Sequence, residues 1–156
     1  MKAIRVYADT SVFGGIYDEE FKEPSRTFFE QVKSGQFVLV TSAVVQDEMA
    51  AAPPTVRRFF EELLGPAEVT DITASALELR DAYLQAKIVA PKYSADALHV
   101  ALATVAGCSL IVSWNFQHIV HFQKIPLYNA INTLEGYQPI AIFSPREVIH
   151  YEDEEV

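Results

Sequence analysis

"ALHVALATVAGCSLIVSW", residues 97–114, is the stretch on which the fold turns. Its length and apolarity match a membrane span, but two residues argue against one. His99 puts a polar ring inside the first half, and Gly107 divides a helix-forming segment from a β-branched one. A buried helix followed by a buried strand accounts for both halves. The same alternation continues outward. "AIRVYA" (3–8), "QFVLVT" (36–41), "SLIVSW" (109–114) and "PIAIFS" (139–144) read as strands, with "AEVTDI" (67–72) a weaker one. Helices are expected over 23–35, with Pro24 at the start and Gly35 as the stop, and over 43–51, capped by Ser42. Further helices are expected over 55–64, over 73–89 with Thr73 as cap, over 94–106 with Ser94 as cap, and over 115–122 and 126–136. Continuous apolar strands separated by helices predict an α/β fold whose parallel sheet is covered on both faces.

The chain has 156 residues, half of them hydrophobic and 21% charged, enough for one globular domain with a sizeable core. One domain is expected over 1–150, followed by an acidic tail, "YEDEEV" (151–156). The lone Cys108 excludes an intrachain disulfide and agrees with a reducing cytoplasm, and no membrane anchor or N-terminal signal is read. The formal net charge of −9 removes any general attraction for polyanions. A nucleic-acid role therefore has to rest on a local basic patch, on bound cations or on another subunit.

In open parallel sheets, ligands sit beyond the carboxyl ends of the strands, near the switch in strand order. Asp9 in "YADTSVFGG" (7–15) and Asn115 in "SWNFQHI" (113–119) follow two such ends. Asp96 lies two residues after Ser94, and Glu48 about a turn and a half into the helix after the second strand. Three acids and an amide could converge on one crevice. The physical reason for such a cluster would be a hard divalent cation, Mg²⁺ or Mn²⁺, which takes oxygen ligands. Such a cation lowers the pKa of a bound water and offsets charge on a phosphate, whereas bare neighbouring carboxylates repel one another.

Each residue also has a plain structural use. Asp96 in a first helical turn favours the macrodipole, and Asp9 can cap a short helix beginning near Ser11. Glu48 stands beside Asp47, and at most one of that pair faces inward. Asn115 is an ordinary turn residue.

The blocks "YADTSVFGG", "VTSAVVQDEMA", "YSADALHVALATVAGCSLIVSWNFQHI" and "GYQPIAIFSPREVI" resemble, in that order, the successive blocks of PIN-domain proteins. The likeness is strongest to VapC-like toxins of type II toxin–antitoxin systems. The resemblance implies an α/β/α sandwich with a central parallel sheet of four to five strands. It also implies a metal-dependent ribonuclease that hydrolyses RNA in line, leaving a 5′-phosphate and a 3′-hydroxyl. Asp9, Glu48 and Asp96 fall on the family's metal-binding acids. Thr10 or Ser11 falls on a hydroxyl beside the first acid, and Ser113 on a small hydroxylated residue ending the fourth strand. A homodimer and a cognate antitoxin filling the active-site groove are implied in the same way.

The chain departs from the family after the fourth strand, where Asn115 and His118 replace usual acids. An amide oxygen can ligate Mg²⁺ without bringing charge, so metal affinity should fall and a second metal is doubtful. His118 could contact a phosphate or act as a general acid. On a helix it would share a face with His121, permitting a soft metal site. Lys92 and Tyr93 before Asp96 could meet a phosphate and an unpaired base, while Lys87, Arg57 and Arg58 read as solvated. Two functions therefore stand: a Mg²⁺/Mn²⁺ ribonuclease, and a PIN-like module that binds RNA or protein without cleaving. Phosphoryl transfer through an Asp9 nucleophile is set aside, because Ser11 stands where a second acid would be wanted and no nucleotide-binding glycine loop is present.

Overall fold

Strands and helices alternate along residues 3–149, the part of the chain that the computed structural model describes. The acidic tail expected at 151–156 lies outside the described residues. In chain order the elements are β1 (Ile4–Ala8), α1 (Thr10–Gly15), α2 (Lys22–Lys33), β2 (Phe37–Ser42), α3 (Ala43–Met49), α4 (Pro54–Leu64) and β3 (Glu68–Thr70). Then follow α5 (Ala74–Gln85), a 3-10 turn (Pro91–Tyr93), α6 (Ser94–Val105), β4 (Leu110–Val112), α7 (Ile125–Leu134), β5 (Ala141–Phe143) and α8 (Pro145–Val148). The strands form one five-stranded sheet in the order β3-β2-β1-β4-β5, every pair parallel. Helices flank it, so the α/β sandwich with a central parallel sheet is the observed architecture.

The central strands read as apolar runs because both of their faces are covered: Val6, Tyr7 and Ala8 of β1 and all of β4 are buried. The edge strands β3 and β5 keep exposed residues. Helix α6 is buried from Ala97 through Thr104, as a helix apolar on all sides must be. No helix among the described residues is long and apolar enough to cross a membrane. Strand order switches between β1 and β4, and Ala8 pairs with Val112. The next residues, Asp9 and Ser113, therefore leave adjacent strands side by side, at the edge where parallel sheets bind ligands.

Four expected boundaries change. Helix α5 stops at Gln85 rather than Val89, because Lys87 takes a left-handed conformation (φ 60°). Its neighbours close a Schellman-type end, with Ile88 N–H bonded to the Tyr83 carbonyl and Lys87 N–H to that of Leu84. Ser94 is not a cap: the 3-10 turn runs straight into α6, whose cap position is Tyr93. Residues 115–124 form turns instead of the expected helix at 115–122. The Asn115 side-chain oxygen takes the His118 N–H, and the Asn115 carbonyl takes those of Ile119 and Val120. Finally, α8 was not anticipated; Ser144 and Glu147 start it with a reciprocal capping box.

Gly15 ends α1 where two side chains press on the backbone. A Cβ there would lie 2.5 Å from Ser25 Oγ and 2.8 Å from Trp114 Nε1, the two atoms that hydrogen-bond each other at 2.8 Å. Gly15→Ala should therefore cost about 1–3 kcal/mol through this overpacking. Urea unfolding of both proteins measures it, and an unchanged midpoint would show that the Trp114 ring yields freely.

Candidate functional site

Asp9 ends β1 almost completely buried (4% exposed), and every carboxylate oxygen has a partner. Oδ1 accepts from the Ser11 backbone N–H at 3.1 Å and from the Ser11 hydroxyl at 2.5 Å. Oδ2 accepts from the Ser113 hydroxyl at 2.6 Å. Each serine in turn accepts a backbone N–H from the chain leaving β4: Ser11 from Trp114 and Ser113 from Asn115, both at 2.9 Å. Asp9 is thus the cap of α1 and also the pin between the ends of β1 and β4.

Glu48, on α3, reaches the same crevice. Its Oε1 accepts from the Thr10 hydroxyl at 2.8 Å and meets His99 Nε2 at 2.7 Å. Asp47, the competing neighbour, makes no contact of this kind. His99 Nδ1 lies 2.7 Å from the Tyr7 hydroxyl, which lies 2.8 Å from Ser42 Oγ. With the imidazole charged, Nδ1–H donates to Tyr7, Tyr7 donates to Ser42, and Nε2–H donates to Glu48. Burial alone would push the His99 pKa down. The hydrogen bond to Glu48 and the charges of Asp9, Glu48 and Asp96 outweigh it and hold the pKa above its ordinary value. Glu48 shows the converse: burial would raise it, and His99 and Thr10 hold it below the usual carboxylate range. Of the three acids only Glu48 touches the ring; Asp9 and Asp96 act on it through their charge alone.

His99 and Tyr7 were not among the residues expected at the site. The available signal was a histidine inside an otherwise apolar helix, three residues after Asp96 and so on its face.

Asp96, in the first turn of α6, pairs through Oδ2 with His118 Nδ1 at 2.8 Å. His118 is stacked under Tyr93, ring centroids 3.9 Å apart, and the Lys92 ammonium lies 5.1 Å from the Tyr93 centroid. Lys92 itself is exposed. The soft metal site across His118 and His121 loses its basis, since neither lies on a helix and His121 Nδ1 accepts the Gln123 N–H.

The donor set suits a hard cation held by one or two carboxylates and water. Glu48 Oε2 and Asp96 Oδ1 stand outside the hydrogen bonds just described. It does not form a ready-made protein cage: among the described residues, no three His, Cys, Asp or Glu side chains are grouped to hold a metal ion.

Burial is the largest cause of a raised Asp9 pKa; the His99 charge and the two serine hydrogen bonds oppose it, and Glu48 adds to it. A carboxyl raised on folding binds protons that the unfolded chain has released, so it lowers stability as pH climbs above the ordinary carboxylate pKa. Asp9→Asn should accordingly melt higher than wild type near neutral pH in chelator. That advantage should vanish below about pH 4. Equal melting temperatures near neutrality would mean that the serines and His99 fully offset the burial.

Comparisons with known proteins agree with this architecture. The PIN domain family model matches residues 6–116. Among solved structures, the chain is similar to VapBC2 from Rickettsia felis bound to a DNA fragment from its promoter, with TM-score 0.59 and 14% identity over 89% of this chain and 97% of that one. It is also similar to FitAcB from Neisseria gonorrhoeae, with TM-score 0.58 and 12% identity over 92% and 99% of the two chains. A third likeness is to FitAB bound to an IR36 DNA fragment, with TM-score 0.56 and 13% identity over 94% and 99%. At these identities the likeness is one of fold. No functionally curated protein matches in sequence. With the family model covering more than half of its residues, the chain belongs to the PIN-domain family.

Proposed function

We propose that this chain is a metal-dependent ribonuclease of the VapC-like kind, the toxin of a toxin–antitoxin pair, acting in the cytoplasm. The observation that carries the reading is the placement of three acids near the switch point of the sheet, Asp9 held by Ser11 and Ser113, Glu48 by Thr10 and His99, and Asp96 by His118. Asp9, Asp96 and Glu48 would hold Mg²⁺ or Mn²⁺, with Asn115 beside them. When bound, the cation would supply Lewis-acid stabilisation of charge on the scissile phosphate. Ser11 and Ser113 orient Asp9 by donating to its two oxygens. Thr10 orients Glu48, and Asp96 with Tyr93 fixes the His118 ring so that its second nitrogen can meet substrate. Lys92 would take a backbone phosphate.

The structural neighbours are toxin–antitoxin complexes by name, which supports an antitoxin as the protein partner. Exposed apolar side chains on and before α7 support a homodimer: Phe122 is 89% and Leu134 80% exposed. The second reading, a PIN module that binds RNA or protein without cleaving, is favoured by one observation. The Asn115 oxygen is engaged by the His118 backbone, and His118 by Asp96.

Cleavage of labelled RNA with Mg²⁺, with Mn²⁺ and with chelator separates the two. The ribonuclease gives metal-dependent products, and Asp96→Asn lowers the rate by about a hundredfold or more, since several kcal/mol of charge stabilisation is lost. If wild type and Asp96→Asn are equally inert with both metals, the binding module is the correct reading.

A further inference from the structure

The segment that leaves β4 carries a feature the hydrolytic reading does not use. Ser113 holds Asp9 and Asn115 N–H holds Ser113; one residue further, the Phe116 ring is 47% exposed. This ring is anchored. Phe116 packs against Trp114 with centroids 6.1 Å apart and planes at 65°, and against Phe21 at 6.4 Å. Trp114 is itself fixed between a parallel Phe21 ring at 4.1 Å and its hydrogen bond to Ser25. An exposed aromatic held on a rigid base beside a catalytic crevice loses little entropy when something stacks on it.

The charges around it are the second observation. In a chain of net charge −9, two exposed cations lie against aromatic rings of this region. The exposed Arg146 guanidinium lies 5.6 Å from the centroid of Trp114, the ring that Phe116 also packs against. The second, Lys92, lies over Tyr93, which stacks on the His118 that holds Asp96. Aromatic face and cation together are the chemistry that receives a base and its phosphate, and only an unpaired strand offers a free base face.

We propose that Phe116, braced by Trp114 and Phe21, with Arg146 against the same Trp114 ring, is a base-stacking ledge that selects unpaired RNA for this site. It rests on the ribonuclease reading and adds the substrate's form. The ledge takes the base next to the scissile phosphate, and a duplex, whose bases stack on each other, does not engage it.

The test is fluorescence anisotropy of full-length protein in chelator, with a fluorescein-labelled single-stranded RNA and a labelled RNA hairpin stem. The variants are Phe116→Ala, Phe116→Leu and Phe116→Trp, with melting temperatures and Mn²⁺-dependent cleavage measured in parallel. Phe116→Ala and Phe116→Leu should weaken single-strand binding about tenfold, within the range one stacked base supplies. Phe116→Trp should retain it, and hairpin binding should not change in any variant. The ledge is overturned if Phe116→Ala binds single strands like wild type, if Leu serves as well as Trp, or if strand and hairpin lose equally. Unchanged RNA binding with cleavage intact would leave the ribonuclease standing and return Phe116 to a protein interface. A wild type that neither binds nor cleaves either RNA overturns both.

Discussion

A carboxylate buried at the end of a central strand has to be fully hydrogen-bonded, and that requirement organises this molecule. Asp9 meets it with two serine hydroxyls drawn from different parts of the chain. Because Ser11 and Ser113 also accept the backbone N–H groups of Trp114 and Asn115, the acid fixes the path of the chain beyond β4. Trp114 is then pressed onto the end of α1, where only Gly15 leaves it room. Gly15, the second glycine of "YADTSVFGG", thus answers to the same constraint as the acid: it is where the Trp114–Ser25 pair lies against the backbone.

The other two acids are balanced differently. Glu48 is paired with His99 and Asp96 with His118, so the crevice carries histidine–carboxylate pairs instead of bare neighbouring carboxylates. This arrangement limits carboxylate repulsion around the buried Asp9, with Glu48 exposed and Asp96 half-buried. It also gives the two departures from the usual family pattern a definite place. Asn115 builds the turn that presents His118, and His118 binds the acid that begins α6.

Much of the fold was legible because continuous apolar strands and glycine or proline stops are local signals. β1, β2 and β4, the caps Ser42 and Thr73, and the positive-φ Gly35 all lie where the pattern puts them. The failures are equally physical. The end of α5 is set by a left-handed Lys87, which nothing in residue type announces, and the turn at 115–124 by a side chain bonding to its own backbone. At the site, Asp9 stood out as an acid directly after a strand, and Glu48 and Asp96 as acids in the early turns of helices starting at the same sheet edge. His99 and Tyr7 did not, since both look like core residues until the register of β1, β2 and α6 brings them together. Histidine inside an apolar helix, in the very stretch that decides the fold, was the overlooked clue.

A divalent cation held in this crevice through Asp9, as proposed, would show itself first in Mn²⁺-dependent thermal stability. A ligand that binds only the folded chain raises its melting temperature in step with concentration above the dissociation constant. Wild type should climb steadily as Mn²⁺ is titrated, and Asp9→Asn should stay level. The same rise in both proteins, or none in wild type, would contradict the account.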